Sequence, residues 1–506
     1  MSPSATAMVM TESDAIAQAE TRGTIEPERP AVFFLPRHPT SWVRMLDQAR
    51  VLRDSGSFTP VMVLATAAMA KMAETCRAEG LTYVDATGEI ERRRLEAAPG
   101  LHGWGERLEA WAQRRDRLGC LLPLSLLRLV HLRRRLRAEY AEFRALCERW
   151  QPVAILVPGD RELSPVPPML RAALDLEIPS VIAFSGVPDP AGAAGLRRHD
   201  KRFRLDLRSL PPLLNFYAAR RYPRQVCDSR FGRMLFSPGW LVLALAGLDM
   251  LSATPWIQGG GNSRYILQNS KRRMRHFVER GVPESKHVFV GDLTLEPLHA
   301  AKHERDSVRA RLTSSDASKL VVMSVPNDAE HNACDWPTHL ARMAAFMRPL
   351  AESGAQVVLS LHPKSKAEDY RALAERFGFR FADRPLVEIL PAADLFVCSG
   401  SSTVLWANLV EVPAINLDYL DVGNFENRAV PGVTSVRTAA AFAAALEQAL
   451  HGMTAEARQA LADYAAEMRE DSLFDGRAGA RFCAFLETLA AQAPSAQHRE
   501  QARRVA

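Results

Sequence analysis

The sequence predicts an α/β protein with two facing Rossmann-like domains, the first of which carries helical, basic insertions. Three observations support this fold class. Short apolar runs alternate with stretches of helical periodicity, as in parallel sheets covered by helices on both faces. This alternation starts near residue 31, is interrupted, and starts again near residue 319. The chain has 506 residues, 47% of them hydrophobic, which is enough for two or three domains with their own cores.

The first domain is predicted from an initial series of strands and helices. Five apolar runs indicate its strands: AVFFLP, PVMVLA, LTYVDA, PVAILVPGD and IPSVIAFSG. Strands this apolar are typical of a parallel sheet that is buried on both faces. We therefore predict an N-terminal, acceptor-side domain over residues 30–298, interrupted by insertions at 91–150 and 190–256.

A second series of elements predicts the other domain. Five further apolar runs indicate its strands: KLVVMSVP, AQVVLSLHP, FRFAD, DLFVCSGSS and VPAINLDY. We predict a nucleotide-binding domain over residues 299–455 and terminal helices over 456–491. Residues 299–317 are polar and charged and lack a strand pattern, so we expect them to link the two domains. The ends of the chain, 1–29 and 492–506, are predicted to be a disordered leader and a flexible tail.

Positive charge is concentrated in the two insertions. The net charge is +6, yet residues 111–140 contain eight Arg against two acids, and residues 197–233 contain eleven basic against three acidic residues. Arg mixed with Leu and aromatic residues is typical of binding to anionic membranes or lipid phosphates. We expect 111–140 and 197–251 to bind an anionic membrane surface; the alternative is a solvated charged face over a buried Leu stripe. No nucleic-acid-binding motif accompanies the Arg clusters, so no nucleic acid partner is expected.

The cysteine pattern bears on compartment and metal content. The seven cysteines are scattered and show no C-x-x-C or Cys/His pattern with metal-ligand spacing, so we expect reduced thiols, no metal and no cofactor. Residues 1–29 lack the apolar core of a secretory signal. The most apolar stretch, 234–251, is interrupted by Pro238 and Asp249 and is expected to pack into a core or lie in an interface. We predict a cytoplasmic protein, peripheral at the inner face of the membrane.

Two polar motifs follow predicted strands of the second domain. They are His362-Pro363-Lys364 and Ser399-Gly400-Ser401-Ser402-Thr403. Ligands bind at the carboxyl ends of parallel strands, and hydroxyl and glycine residues at a helix start offer hydrogen-bond donors to a phosphate. We therefore expect both motifs to bind the donor's phosphate. The alternative is that Ser401 or Thr403 caps a helix and His362 ends a strand.

These motifs, followed by VPAINLDY, resemble those of bacterial transferases with the two-domain glycosyltransferase-B fold. The pattern is similar to that of capsule and lipopolysaccharide enzymes that use CMP-activated sugars, and of CDP-glycerol polymerases. The resemblance implies that His362, Ser401 and Ser402 bind the phosphate of the donor nucleotide. The second half also resembles non-hydrolysing UDP-GlcNAc 2-epimerases, which usually have Ser-Gly-Gly followed closely by an acidic residue where this chain has Ser399-Gly400-Ser401.

Two further segments contain candidate donor-binding residues. The loop 324–336 contains Glu330 and His331, which are predicted to contact ligand hydroxyls, with a solvated loop as the alternative. Asn262 follows three glycines, which permit close approach of a ligand to the backbone. Asn262 either contacts the donor or caps the following helix.

Transfer requires a general base that deprotonates the acceptor hydroxyl while the bond to the leaving phosphate breaks. Asp160 and Glu162 follow the strand PVAILVPGD of the first domain and are the first candidates, and His38, in PRHPTS, is the next. The alternative is that Asp160 caps a turn and Glu162 pairs with Arg161.

Taken together, these features predict a metal-independent glycosyltransferase that moves a sugar or polyol unit from a nucleotide-activated donor to a surface polysaccharide or lipid-linked acceptor. A nucleotide-sugar epimerase similar to UDP-GlcNAc 2-epimerase is the enzymatic alternative. A catalytically silent scaffold for polysaccharide assembly is the non-enzymatic one.

Overall fold

The computed structural model describes most of the chain in twelve stretches. These are 29–96, 122–161, 165–184, 186, 190–198, 200–206, 212–313, 319–330, 334–362, 365–399, 403–419 and 430–492. Two compact units are present within them. The first unit consists of residues 29–267, 275–288 and 482–492, and the second consists of 268–274 and 289–481. The chain therefore passes from one unit to the other four times.

The sheet of the first unit has the strand order β3-β2-β1-β4-β5-β8-β9, and its pairs from β3 to β8 are parallel. Its strands are β1 (Ala31–Phe34), β2 (Thr59–Leu64), β3 (Thr82–Asp85), β4 (Ala154–Val157), β5 (Ser180–Ile182), β8 (Tyr265–Gln268) and β9 (His287–Phe289). An antiparallel hairpin is formed by β6 (Val226–Ser229) and β7 (Gly232–Leu235). Every residue of the central strands β1 and β4 is buried, as expected for a sheet covered on both faces.

Helices cover this sheet and build the insertions. They are α1 (Pro39–Ser55), α2 (Ala67–Ala70), α3 (Ala73–Ala78), α4 (Thr87–Glu96), α5 (Leu122–Trp150), α6 (Val166–Asp175), α7 (Pro190–Arg197), α8 (Leu213–Arg221), α9 (Gly239–Ala246) and α10 (Lys271–Glu279). The 29-residue helix α5 packs against α4, α6 and α9. Within the described residues, the predicted insertions are therefore largely helical, and the β6–β7 hairpin is the exception in 190–256.

The most apolar stretch of the sequence packs inside the first unit. Its helix α9 is eight residues long and lies against α5 and α8. Gly239 permits the contact with α8, because a Cβ at this position would lie 2.5 Å from the backbone of Leu214. Among the described residues, no helix is both long and apolar enough to cross a bilayer.

The sheet of the second unit is wholly parallel, with the order β12-β11-β10-β13-β14-β15. Its strands are β10 (Leu320–Ser324), β11 (Gln356–Ser360), β12 (Arg380–Phe381), β13 (Leu395–Cys398), β14 (Ala414–Leu417) and β15 (Val433–Val436). In chain order this is 3-2-1-4-5-6, the doubly wound arrangement of a Rossmann-like domain. The first six strands of the other sheet have the same order, so two Rossmann-like α/β domains are confirmed.

Nine helices follow from residue 296 onward within the described part of the chain. They are α11 (Glu296–His303), α12 (Arg305–Leu312), α13 (Trp336–Glu352), α14 (Ala367–Phe377), α15 (Leu386–Ile389), α16 (Thr403–Leu409), α17 (Ala439–His451), α18 (Ala455–Ser472) and α19 (Ala478–Gln492). Residues 299–312 thus form helices and not the predicted linker. Their apolar side chains at helical spacing, including Val308 and Leu312, are buried in the core of the second unit, a pattern that the abundant charges concealed.

Candidate functional site

In the second unit, β10 and β13 are neighbours at the point where the strand order reverses. The carboxyl ends of strands at such a point form the usual binding site of open α/β sheets. The segments that follow β11, β10, β13 and β14 contain His362, Glu330, Ser399 and Tyr419, respectively. The four strands are adjacent in the sheet and close in register, with Ser324 of β10 opposite Ser360 of β11. Polar side chains are therefore gathered along one sheet edge.

The predicted donor-binding residues of the second domain occupy this edge where the structure describes them, whereas Asn262 lies in the first unit. His362 is exposed, and its carbonyl oxygen accepts a hydrogen bond from the amide of Ser365 at 2.8 Å. The hydroxyl of Ser399 donates to the carbonyl of Leu417 at 2.9 Å, and Thr403 is the first residue of α16. The remaining residues of the two motifs and of the loop lie outside the described residues: Pro363, Lys364, Gly400, Ser401, Ser402 and His331. Phosphate binding by these motifs stays a prediction.

Glu330 connects the segments after β10 and β11. Its Oε1 accepts hydrogen bonds from the hydroxyls of Ser365 and Tyr370, the latter at 2.9 Å. Burial acts to raise the pKa of Glu330, but these hydrogen bonds outweigh it and hold the pKa below its usual value. Its Oε2 is buried and has no hydrogen-bond partner in the described part of the chain. Within the described part of the chain, Glu330 is thus a carboxylate with one oxygen hydrogen-bonded and one without a donor.

His339, in the first turn of α13, is fully buried next to Glu330. Its Nε2 lies 2.9 Å from the hydroxyl of Tyr370, whereas its Nδ1 is buried without a hydrogen-bond partner among the described residues. Burial lowers the pKa of the imidazole, so His339 is neutral near pH 7. Burial, together with the carboxylate of Glu330, raises the pKa of Tyr370, which keeps its hydroxyl protonated.

Asp328 completes the network on the opposite side of the loop. Its Oδ2 accepts a hydrogen bond from the hydroxyl of Tyr419 at 2.6 Å and one from Nη1 of Arg342 at 3.4 Å. The guanidinium of Arg342 also lies over the ring of Tyr419, at 4.6 Å from its centroid. Asp328 lies in the loop 324–336 that the sequence singles out, but Arg342, Tyr419 and His339 were missed. Their only signal in the sequence is their place after strand ends: Tyr419 lies two residues after β14, and His339 and Arg342 lie in the first two turns of α13, the helix that follows β10.

The first unit has a contrasting arrangement at the carboxyl end of β4. The carboxylate of Asp160 is buried and accepts three hydrogen bonds, at 2.8 Å from the amides of Gly259 and Gly261 and at 2.9 Å from the hydroxyl of Ser263. The carboxylate therefore fixes the glycine-rich segment that precedes β8. A catalytic role for Asp160 stays a prediction, and this geometry favours the structural alternative.

Lys286 and Gln258 hold the same segment from two other sides. The ammonium of Lys286 donates to the carbonyls of Gly259 and Gly261, at 3.0 and 2.9 Å. Burial lowers the pKa of Lys286, and the charge of Asp160 opposes this effect. The amide of Gln258 donates to the carbonyls of Pro158 and Phe184, which joins the ends of β4 and β5 to the segment.

His38 lies at the carboxyl end of β1 and begins α1. Its Nδ1 accepts a hydrogen bond from the amide of Ser41 at 3.2 Å, and the hydroxyl of Ser41 accepts from the amide of His38 at 3.1 Å. Because Nδ1 is an acceptor, the neutral ring carries its proton on Nε2. In this state Nε2 can donate a hydrogen bond but cannot accept a proton. Of the other first-domain candidates, Asn262 is partly buried beside the Asp160 contacts, and Glu162 lies outside the described residues.

Comparisons with known proteins give fold-level likenesses only. No protein-family model matches the chain, and no curated protein matches its sequence. A UDP-GlcNAc 2-epimerase from Neisseria meningitidis bound to UDP-GlcNAc matches 91% of this chain and 99% of its own, with 9% identity and a TM-score of 0.46. A glycosyltransferase from Rickettsia africae ESF-5 matches 92% of this chain and 99% of its own, with 8% identity and a TM-score of 0.43. The wall teichoic acid polymerase TagF matches 46% of this chain and 57% of its own, with 12% identity and a TM-score of 0.34. At this level of similarity, none of them assigns a function to the chain.

Proposed function

We propose that the protein is a glycosyltransferase that moves a sugar or polyol unit from a nucleotide-activated donor to a surface polysaccharide or a lipid-linked precursor. The observation that carries this proposal is the set of polar side chains at the strand-order reversal of the second sheet. In Rossmann-like domains this position binds nucleotides. We assign the donor to the second unit and the acceptor to the first.

The side chains at the carboxyl edge of the second sheet are suited to binding a nucleoside diphosphate or monophosphate. His362 is exposed and follows β11, so its ring can donate a hydrogen bond to a phosphate oxygen. Ser399 and Thr403 bracket the predicted phosphate motif. Glu330 offers a carboxylate oxygen, which is a usual acceptor for ribose or sugar hydroxyls. The site therefore combines donors for phosphate with acceptors for hydroxyls.

The first unit supports acceptor binding through its own sheet edge. Nε2 of His38 is available as a hydrogen-bond donor to an acceptor or phosphate oxygen. Asp160 positions the segment that contains Asn262, and we assign it this positioning role in place of proton transfer. Glu162 is then the first candidate for the general base, from its place two residues after Asp160 in the sequence.

A lipid-linked acceptor fits an exposed apolar surface of the first unit. The exposed apolar side chains are Leu122, Leu126, Leu127 and Val130 on α5, with Leu213 and Tyr217 on α8. Positions 122, 126 and 130 share one helix face. Arg137 on α5 and Arg220 and Arg221 on α8 are also exposed. Apolar side chains beside Arg are the combination that binds anionic membrane surfaces, which supports peripheral attachment.

Nucleotide binding is the first experiment. The purified chain is titrated with CMP, CDP, UDP and GDP, and the shift of its thermal unfolding midpoint is recorded. We expect one base to stabilise the protein, since a ligand that binds the folded state raises its stability. The variant His362→Ala is expected to bind this nucleotide at least about tenfold more weakly. The control His451→Ala, at an exposed position of α17, should bind it as the wild type does. Equal binding by His362→Ala would contradict the donor site.

Turnover separates the candidate reactions. A transferase releases nucleotide from its donor only when acceptor is present. Interconversion of UDP-GlcNAc and UDP-ManNAc without acceptor would identify an epimerase. Absence of both reactions, with intact folding, would indicate a scaffold.

Membrane attachment is tested by co-sedimentation with vesicles of phosphatidylcholine, with and without phosphatidylglycerol. We expect binding to the anionic vesicles that decreases with salt and is lost in the double variant Leu126→Glu/Leu127→Glu. The control Leu174→Glu changes an exposed apolar residue on α6 and should leave binding unchanged. Equal sedimentation of the double variant would overturn the assignment of this surface.

A further inference from the structure

Three side chains of different chemistry converge beside the loop after β10. They are the carboxylate of Asp328, the thiol of Cys334 and the imidazole of His339, whose ligand atoms all lie within 4.8 Å of one another. Asp328 and Cys334 are partly buried and His339 is fully buried. Carboxylate, sulfur and imidazole are the ligand types that bind Zn²⁺.

We propose that Asp328, Cys334 and His339 form a binding site for a single Zn²⁺ ion, with the fourth position open to water or an exogenous ligand. In a tetrahedral site, Zn–N and Zn–O bonds of about 2.1 Å separate the ligand atoms by about 3.4 Å. His339 Nδ1 and Asp328 Oδ2 are 3.9 Å apart. A contraction of roughly half an ångström therefore closes this pair around the ion, within the freedom of an Asp side chain on a loop.

The hydrogen bonds of His339 leave the correct nitrogen for a metal. The hydroxyl of Tyr370 donates to Oε1 of Glu330 at 2.9 Å, so its oxygen accepts the proton of His339 Nε2, 2.9 Å away. The lone pair of the neutral ring is then on Nδ1, the atom that faces Asp328. Nδ1 is buried and has no hydrogen-bond partner among the described residues. A histidine ligand whose second nitrogen is fixed by a hydrogen-bond chain to a carboxylate is typical of zinc sites.

In the structure, the guanidinium of Arg342 lies next to two of the three ligands. Its Nη1 lies 3.4 Å from Oδ2 of Asp328 and 3.9 Å from Sγ of Cys334. Two cations cannot share these ligands, so the guanidinium must move when the ion binds. Arg342 is partly exposed and can rotate towards solvent. We therefore infer that Zn²⁺ and Arg342 compete for Asp328, and that binding of the ion exchanges one cation for another beside β10.

This proposal does not depend on the proposed transferase function, because no step of the transfer uses the ion. The sequence pattern is Asp-x₅-Cys-x₄-His, which joins two residues of the loop 324–336 to one in the first turn of α13. It lacks the paired cysteines or histidines by which zinc sites are usually found in sequences.

The test uses Co²⁺ as a spectroscopic substitute for Zn²⁺ with the full-length, reduced protein. We expect one equivalent to bind and to give the near-ultraviolet sulfur-to-cobalt charge-transfer band, and Zn²⁺ to displace it. The variant Cys334→Ser should lose this band. Cys227→Ser, which changes another partly exposed cysteine outside the cluster, should retain it. A band that is absent in the wild type, or that persists in Cys334→Ser, would overturn the site.

A second variant tests the competition and removes no ligand. Arg342→Ala eliminates a positive charge next to the site and should lower the dissociation constant for Zn²⁺ by at least about tenfold. Arg348→Ala, at an exposed position on the same helix, should bind as the wild type does. An unchanged or weaker affinity in Arg342→Ala would contradict the shared position. Thermal unfolding without metal confirms that each variant is folded.

Discussion

The carboxyl edges of the two sheets have the same strand order but use their ionisable groups differently. In the first unit, Asp160 and Lys286 direct their charged atoms to the backbone and hydroxyl groups of one segment, residues 259–263. In the second unit, Glu330 and His339 each retain one buried heteroatom without a hydrogen-bond partner in the described residues. A buried polar atom without a partner costs free energy of folding. At Glu330 and His339 the second edge therefore loses stability, whereas the contacts of Asp160 and Lys286 stabilise the first edge.

This difference indicates that the carboxyl edges of two sheets with the same strand order use their charged groups for different purposes. Charged groups with all their partners make a rigid support, whereas groups that lack a partner have free energy to gain from a ligand. The comparison thus favours ligand binding at Glu330 and His339 and a positioning role for Asp160. Three substitutions test it, in order of decreasing effect on the free energy of unfolding.

Asp160→Ala is expected to have the largest effect. It removes the common acceptor of Gly259, Gly261 and Ser263 and leaves these buried donors and the ammonium of Lys286 without their counterpart. We expect the free energy of unfolding to fall by about 3–5 kcal/mol. Denaturation in urea measures this loss. Asp228→Ala, at a position whose side chain is 81% exposed, should change it by less than about 0.5 kcal/mol. Similar small losses in both variants would contradict the structural role assigned to Asp160.

Tyr370→Phe is expected to have an intermediate effect. Its hydroxyl donates to Glu330 and accepts from His339, so its removal leaves Nε2 of His339 unpaired and takes one of the two hydrogen bonds from Oε1 of Glu330. We expect a loss of roughly 1–3 kcal/mol, measured by the same denaturation. Tyr217→Phe, at a side chain on α8 that is 59% exposed, is the control and should be neutral. A neutral Tyr370→Phe would mean that the network is not formed in solution.

Glu330→Gln is expected to have the smallest effect, below about 1 kcal/mol. The amide oxygen keeps the hydrogen bonds from Ser365 and Tyr370, and the new NH₂ group replaces an oxygen that already lacks a partner. Hydrogen exchange or urea denaturation measures the change. A loss above about 2 kcal/mol would show that Oε2 is engaged in the folded protein, and the contrast between the two sheet edges would then fail.

The fold was largely predictable, and the positions of its strands most of all. Both strand series follow from apolar runs, because a parallel sheet buried on both faces leaves few polar positions within its central strands. The helices at 299–312 were missed. Their buried residues are few, Val308 and Leu312 among them, and the surrounding charges gave the segment the composition of a linker.

The site was predictable only as far as strand ends reveal it. Asp160 was recognised because it follows a strand, but its partners lie about one hundred residues away, at 259–263. Sequence spacing could not show that both oxygens of its carboxylate already accept hydrogen bonds. His339 resembles any histidine on an amphipathic helix. Its orientation depends on Tyr370, 31 residues later in the chain, and thus on the tertiary packing of α13 against α14.

The four passages of the chain between the units have a consequence for biosynthesis. Residues 482–492 belong to the first unit, and in it Phe485 of the last helix packs edge-on against Tyr265 of β8, with ring centroids 5.4 Å apart. Domains usually fold in order as they leave the ribosome. Here the first unit to emerge lacks residues 482–492 until the second unit, which is complete at residue 481, has been translated. The first unit can therefore complete its fold only after the second unit has been synthesised.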